Sequence, residues 1–177
     1  ATGLLVICTG KKTKEIDTYQ AQVKEYTGKF MLGKTTPSFD LETEVDGEYP
    51  TEHINITLLE NARKQFLGKI QQTPPIYSAI KVNGKRAYES ARKGEVVELK
   101  SREVELLEFE IDDSGFPEIG FRIVCSKGTY IRSLARDFGI AVNSGAYLSG
   151  LRRERIGDFN VSDALPIEDI VDLIKRH

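Results

Sequence analysis

The segment Cys125-Ser126-Lys127-Gly128-Thr129-Tyr130-Ile131-Arg132 gathers two cations and an aromatic ring at a strand-to-helix junction. Ahead of it, Ile119, Phe121, Ile123 and Cys125 alternate with Gly120, Arg122 and Val124, the period of a half-buried strand. Behind it, Ile131, Leu134, Ala135 and Phe138 recur at helical spacing, and Gly139 is the expected stop. A first helical turn with backbone N–H groups beside Lys127, Tyr130 and Arg132 has the makings of an anion site next to a stacking face. Phosphate or nucleic acid suits that chemistry. The plainer reading is a simple connection with solvated arginines.

Charge placement bears on the same question. A net charge of −2 excludes a uniformly basic nucleic-acid binder. Acidic residues gather at Asp40, Glu42, Glu44, Asp46, Glu48 and Glu52, and again between Glu103 and Asp113. Basic residues gather in three stretches: Lys81, Lys85, Arg86, Arg92, Lys93, Lys100 and Arg102; then Arg122, Lys127, Arg132 and Arg136; then Arg152, Arg153 and Arg155. Such segregation predicts one basic face suited to a polyanion.

Other chemistries find little support. Cys8 and Cys125 sit in apolar strand patterns and read as reduced core residues of a cytosolic protein. His53 and His177 are isolated and no Cys–x–x–Cys pair exists, so no metal site is expected. Neither a Walker loop nor a dinucleotide fingerprint is present, which argues against a nucleotide cofactor. The longest apolar run, Leu4 to Cys8, is too short to cross a bilayer, and no basic segment precedes it to make a secretory signal. The chain opens at Ala1 without a methionine, directly before a strand pattern, and reads as truncated.

The elements that must position these residues follow from periodicity. A chain of 177 residues, 40% hydrophobic and 29% charged, supports a domain with a real core. Strands are expected at Leu4–Cys8, Lys24–Leu32, Ile76–Val82, Val96–Leu99, Val104–Ile111, Glu118–Cys125 and Ala146–Arg155. Thr57 with Glu60 forms a capping-box pattern ahead of a helix burying Leu58, Leu59, Ala62 and Phe66, with Gly68 as its cap. Gln72-Thr73-Pro74-Pro75 cannot be helical. Asn83-Gly84 signals a hairpin, followed by a short basic helix from Arg86 to Lys93. Ile167, Ile170, Val171 and Ile174 mark a closing amphipathic helix. The expected class is α+β, a mixed, largely antiparallel sheet with flanking helices.

Several of these segments, taken in order, resemble the bacterial tRNA pseudouridine-55 synthases of the TruB type. Ala1-Thr2-Gly3-Leu4-Leu5 looks like the end of that family's G-[TA]-L-D-P-x-A-[TS]-G-[LMV]-L motif. Lys24-Glu25-Tyr26 resembles its K-x-Y strand, and Leu32-Gly33 with Thr35, Thr36 and Asp40 its L-G-x-x-T-x-T-x-D loop. Pro75 to Lys81, with Gly84, Tyr88, Ala91, Arg92 and Gly94, is similar to P-x-[YF]-S-A-x-K-x-x-G-x-x-x-Y-x-x-A-R-x-G. Cys125 to Arg132 matches C-S-x-G-T-Y-I-R in full, and Leu148 with Leu151-Arg152-Arg153 resembles the final L-x-x-L-R-R signature. The resemblance runs from Ala1 to about Arg153. Pro37, within the Thr36–Asp40 loop, departs from the small polar or acidic residue common there.

The resemblance implies a pseudouridine synthase catalytic domain over residues 1–177 that lacks its N-terminal portion. It implies a thumb-like RNA-binding insertion at about 72–100 and places no PUA domain in this chain. Its reaction isomerises the uridine at position 55 in the T-loop of tRNAs. The family's catalytic Asp, nucleophile or base, falls ahead of Ala1, so the chain alone is expected to be inactive. Arg132 would pair with that Asp and hold it ionised. Tyr26 would stack on the extruded uracil with its phenol near C5, although an aromatic on an alternating strand is more often core. Tyr130 and Leu151 would contact the base or ribose. Asp40 is a further candidate, either in the polar network or only as a turn-former. Lys81, Lys85, Arg86 and Arg92 would meet phosphates of the T-arm. The resemblance implies no cofactor, no metal, no membrane, no obligate protein partner and a cytoplasmic location. The rival readings are a non-catalytic RNA-binding or RNA-remodelling module, a guide-dependent synthase, and a structural α+β domain.

Overall fold

The computed structural model describes residues 1–78, 81–82, 85–87 and 99–175; the side chains of residues 81, 82, 85, 86, 173 and 174 lie outside the description. The strands are β1 (Thr2–Gly3), β2 (Lys24–Leu32), β3 (Lys34–Thr35), β4 (Gly47–Glu48), β5 (Gly68–Gln72), β6 (Lys81–Val82), β7 (Lys85–Arg86), β8 (Arg102–Asp112), β9 (Glu118–Cys125), β10 (Ala146–Ile156) and β11 (Phe159–Asn160). The α-helices are α1 (Ile16–Ala21), α2 (Ile56–Gln65), α3 (Ile131–Ala141) and α4 (Ile167–Lys175). The main sheet runs β1-β10-β2-β9-β8-β5, with β11 paired to β10. The β1–β10 pairing is parallel and the others are antiparallel. This is the α+β class expected.

Alternation decides which face of the sheet is covered. Phe30 and Leu32 of β2, Ile119, Phe121 and Ile123 of β9, Leu106 and Phe109 of β8, and Leu148 of β10 point to one side. Helix α3 lays Ile131, Leu134, Ala135 and Phe138 against them, and α2 adds Leu59 and Ala62. Phe30 sits at the centre, 4.3 Å from the Phe121 ring, 5.9 Å from Phe138 and 6.5 Å from Phe109 between centroids. Tilted and edge-on contacts of this kind contribute about 0.5–1.5 kcal/mol each beyond area burial. A Cβ on Gly28 would lie 2.5 Å from the Phe121 Cζ and 2.2 Å from the Gly150 carbonyl oxygen, so only glycine lets that ring fold over β2.

Strand β10 is irregular in a way that matters. Leu148 faces Phe30, Gly150 faces Lys29 and Leu151 faces Gly28, so Ser149 is an extra residue in the ladder. A second irregularity separates Arg153 from Arg155.

Several local expectations are corrected. Leu4–Cys8 is not a strand: the pairing ends at Gly3, and Leu5 and Ile7 are 65% and 63% exposed. Only Leu4 is buried there, and Cys8 is half-exposed rather than in the core. Helix α2 is capped by Asn55, whose side chain accepts from the Leu58 N–H, ahead of the Thr57–Glu60 pattern. Glu60 instead holds Arg63. Gly68 does adopt a positive φ, but it opens β5 two residues past the Phe66 cap. Helix α3 passes through Gly139 to Ala141. A Cβ at Gly139 would sit 2.3 Å from the Ala146 nitrogen, so this glycine serves close packing, not termination.

Ile76–Ser78 forms a bend instead of a strand, and among the described residues of that span Lys81–Val82 pairs, antiparallel to Lys85–Arg86. Leu99 is not in a strand, and Ala79, Ile80, Asn83-Gly84 and residues 88–98 lie outside the described residues. No helix among the described residues is long and apolar enough to cross a membrane.

Charge does not collect on one face as expected. Arg122 sits on the outer face of the sheet, its Nε 2.7 Å from Glu25 and its Nη1 2.6 Å from Glu108 and 2.9 Å from Glu110. Arg155 reaches Glu25 as well, Arg152 pairs with Glu154, and Arg136 pairs with Asp137. Burial pushes the Glu25 carboxyl up, but the bonds from Arg122 and Arg155 outweigh it, leaving Glu25 below the usual range. Its stabilising contribution is therefore present above the ordinary carboxylate range and lost as pH falls through the lowered value. Arg122→Ala is expected to cost about 1.5–3 kcal/mol in urea unfolding at neutral pH. The gap to wild type should shrink in acid; an equal gap at all pH values would contradict the role of Glu25.

Candidate active site

The junction between β9 and α3 is built by three local bonds. Gly128 takes a φ of +81°, turning the chain after β9. The Thr129 hydroxyl donates to the Ser126 carbonyl, and Ser126 exchanges bonds with Glu105 of β8. Tyr130 is then the extended N-cap of α3. Arg132 projects from the first turn of that helix with its side chain 20% exposed.

A guanidinium so placed needs acceptors, and the structure supplies them from two loops. Nη1 lies 3.1 Å from Asp40 Oδ2, and Nη2 donates to the Tyr77 carbonyl at 2.8 Å. Glu42 stands farther off at 4.0 Å. Asp40 is itself held: its carbonyl accepts from the Thr36 and Ser38 hydroxyls, and its Oδ1 accepts from the Glu42 N–H. Phe39 takes a positive φ of 63°, uncommon for a bulky residue, and its carbonyl accepts from the Leu148 N–H. The Arg136 guanidinium covers the Phe39 ring at 4.8 Å. These bonds fix the loop onto β10 and aim Asp40 at Arg132.

The result is an open cleft of about 490 Å³ bordered by Ala1, Asp40, Arg132, Leu148 and Leu151. Its volume falls in the range of small-molecule sites, roughly 300–1,000 Å³. One wall is apolar and the other carries the ion pair.

Of the residues singled out from sequence, Arg132, Asp40 and Leu151 meet at this cleft. Tyr26 and Tyr130 are not among its lining residues. Tyr26 is half-buried on the same face of the sheet, opposite Ile123 and Arg153, and packs on the core. Tyr130 lies at the helix start, with the Arg102 guanidinium 4.8 Å from its ring centroid. Lys81, Lys85 and Arg86 are on the β6–β7 ribbon, and Arg92 lies outside the described residues. The Tyr130 N–H, counted from sequence toward an anion site, is already bonded to Gln72.

Two residues take on roles that the sequence analysis did not give them. Arg153 stands opposite Tyr26 and donates from Nε to the Leu4 carbonyl. Only the β2–β10 register reveals it. Gln72 is fully buried, and its alternation with Ile70 was the available signal.

The family described as TruB family pseudouridylate synthase (N terminal domain) matches residues 1–131. The chain belongs to the TruB family of pseudouridylate synthases. Curated TruB relatives agree over nearly all of it. The tRNA pseudouridine synthase B of Flavobacterium johnsoniae is 61% identical over 167 residues, covering 94% of this chain and 73% of the relative. That of Phocaeicola vulgatus is 56% identical over 176 residues, covering 99% and 75%. Among solved structures, a Cbf5-Nop10-Gar1 complex contains a chain that aligns with a TM-score of 0.66 at 24% identity, covering 93% of this chain and 40% of that one. An H/ACA RNP bound to a substrate RNA containing 2'-deoxyuridine gives 0.64 at 22%, covering 93% and 38%. At that identity these two share the fold.

Burial drives the Tyr26 phenol upward, with the Cys125 thiol adding to it, and the Arg153 guanidinium beside it offsets only part. Tyr26 therefore keeps its proton at neutral pH and offers an O–H and a ring face, not a phenolate. Its stabilising contribution is present below the ordinary phenol value and fades as pH rises through the raised one. A pH titration following the Tyr26 resonance should show ionisation above the ordinary value of about 10. A phenolate at neutral pH would contradict this environment.

Proposed function

We propose that this chain is the catalytic domain of a tRNA pseudouridine synthase that isomerises uridine 55 in the T-loop. The observation that carries the reading is the Arg132 guanidinium, held by Asp40 and the Tyr77 carbonyl at the head of the cleft in a TruB-family chain. High identity to proteins named tRNA pseudouridine synthase B favours an enzyme over a non-catalytic RNA-binding module.

The reaction breaks the bond between uracil N1 and ribose C1′, turns the base, and joins C5 to C1′ while the C5 proton leaves and N1 gains one. Substrate and product are isomers, so the steps balance without an oxidant or external nucleophile. The carboxylate that attacks or deprotonates the ribose is assigned to the family's L-D-P aspartate, which is not among these 177 residues. Arg132 has five N–H donors, and Asp40, Tyr77 and the more distant Glu42 engage its two terminal nitrogens, so a further carboxylate can join without displacing Asp40. A cation at that range lowers a carboxylate pKa by about 1–3 units, which favours the charged, reactive form.

The extruded uracil would lie between the Leu148–Leu151 wall and Tyr26, with Tyr130 contacting base or ribose. The Tyr26 O–H can relay the C5 proton while its ring stacks. The insertion at about 72–100 would grip the T-arm through Lys81, Lys85, Arg86 and Arg92, supplying affinity that offsets the cost of base extrusion, a few kcal/mol. We assign this activity to the cytoplasm and to the protein without an obligate partner.

The direct test incubates full-length protein with T-arm RNA and maps pseudouridine at the T-loop position. Arg132→Ala should lower single-turnover rate by at least about 10²–10³-fold with RNA affinity largely kept; near-normal turnover would remove the ion-pair role. A protein limited to residues 1–177 should bind RNA without forming product. Product from it would move the essential carboxylate to Asp40.

A further inference from the structure

We infer that Gln72 is a positioning residue for the active site, acting through Tyr130 and the first turn of α3. The inference rests on the synthase reading above. Gln72 ends β5 and is fully buried, a poor place for an amide unless both ends are used. Both are. Its Oε1 accepts from the Tyr130 N–H at 2.7 Å, and its Nε2 donates to the Tyr130 carbonyl at 3.1 Å.

The side chain thus pairs with the main chain of Tyr130 as a neighbouring strand residue would. Only a primary amide offers a donor and an acceptor in that geometry without charge. Tyr130 has no side-chain cap of its own, so this amide sets where α3 begins. Arg132 follows two residues later, within the same first turn.

Neighbouring contacts extend the seam. The buried Ser133 hydroxyl donates to the Thr73 carbonyl, and Arg132 Nη2 donates to the Tyr77 carbonyl. Pro74 and Pro75 fix φ along the path between. The segment 72–77 begins the insertion proposed to grip RNA. Gln72 therefore sets the Tyr130 ring and the Arg132 turn in one geometry relative to the insertion's root.

The test uses full-length protein and Gln72→Met, which keeps length and burial but removes both bonds. The single-turnover rate should fall by about 10–100-fold, the scale of a displacement near 1 Å, with T-arm affinity near wild type. Exchange of the Tyr130 amide should accelerate. In a Tyr130→Ala background the same substitution should have less than its full effect, whereas independent sites multiply within about twofold.

A wild-type rate for Gln72→Met, or losses that multiply, overturns the positioning role even if exchange accelerates. If Gln72→Met does not unfold cooperatively, Gln72→Glu, which keeps an acceptor for the Tyr130 N–H, takes its place in the same cycle: a reduced rate with losses that fail to multiply supports the role, and a wild-type rate or multiplying losses overturns it. A wild-type protein that exchanges Tyr130 slowly yet makes no pseudouridine contradicts the proposed function instead. Unprotected Tyr130 in the wild type contradicts the clamp itself.

Discussion

A guanidinium keeps its charge at any pH a cell reaches, so drawing one out of water obliges the fold to bring acceptors to it. Arg132 imposes that obligation here. Its two terminal nitrogens are met by a carboxylate from the loop after β3 and a carbonyl from the bend before β6. Those segments are far apart in sequence, and neither has a regular structure of its own at that point. The strained Phe39, the hydroxyls that hold the Asp40 carbonyl and the prolines beside Thr73 make sense as the means of delivering two oxygens to one cation.

The sheet carries out the complementary task. Parallel strands at its centre would have required long crossovers; the antiparallel β8–β9 pair needs only a short turn, and β2 joins β9 and β10 in the same sense. Helix α3 is then free to lie across the apolar face with its N-terminus at the cleft. The outer face bears a separate ionic cluster around Arg122 and Glu25, away from that cleft. Splitting the cations between two faces explains how a chain with a small negative net charge can present a localised positive group where chemistry is proposed.

What could be seen in the sequence follows from how local each signal is. β2, β9 and α3 were legible because each carries several turns or pleats of regular period, whereas β8 and β10 were legible as strands although each holds an irregularity. Leu4–Cys8 misled because an apolar run says nothing about whether a neighbouring strand is available; of the opening segment, Thr2 and Gly3 pair with β10 and the rest does not. The helix cap was misplaced because Asn55 and Thr57 both have capping side chains, and the choice lies in backbone angles. For the site, Arg132 and Leu151 stood out through motif context. Asp40 stood out less, because its partner is 92 residues away. Arg153 showed only as part of the L-x-x-L-R-R resemblance and Gln72 only through alternation with Ile70; what each holds comes from contacts that the assembled fold creates.

The extra residue at Ser149 has a geometric effect of its own. Side chains three apart on a regular strand point in opposite directions, yet Leu148 and Leu151 both face the cleft. One unpaired residue between them is what reverses the second. Removing one residue there would make the ladder regular, with Leu148 and Leu151 two apart and still on one face, but would take away the bend and added twist that the bulge gives β10 beside the cleft.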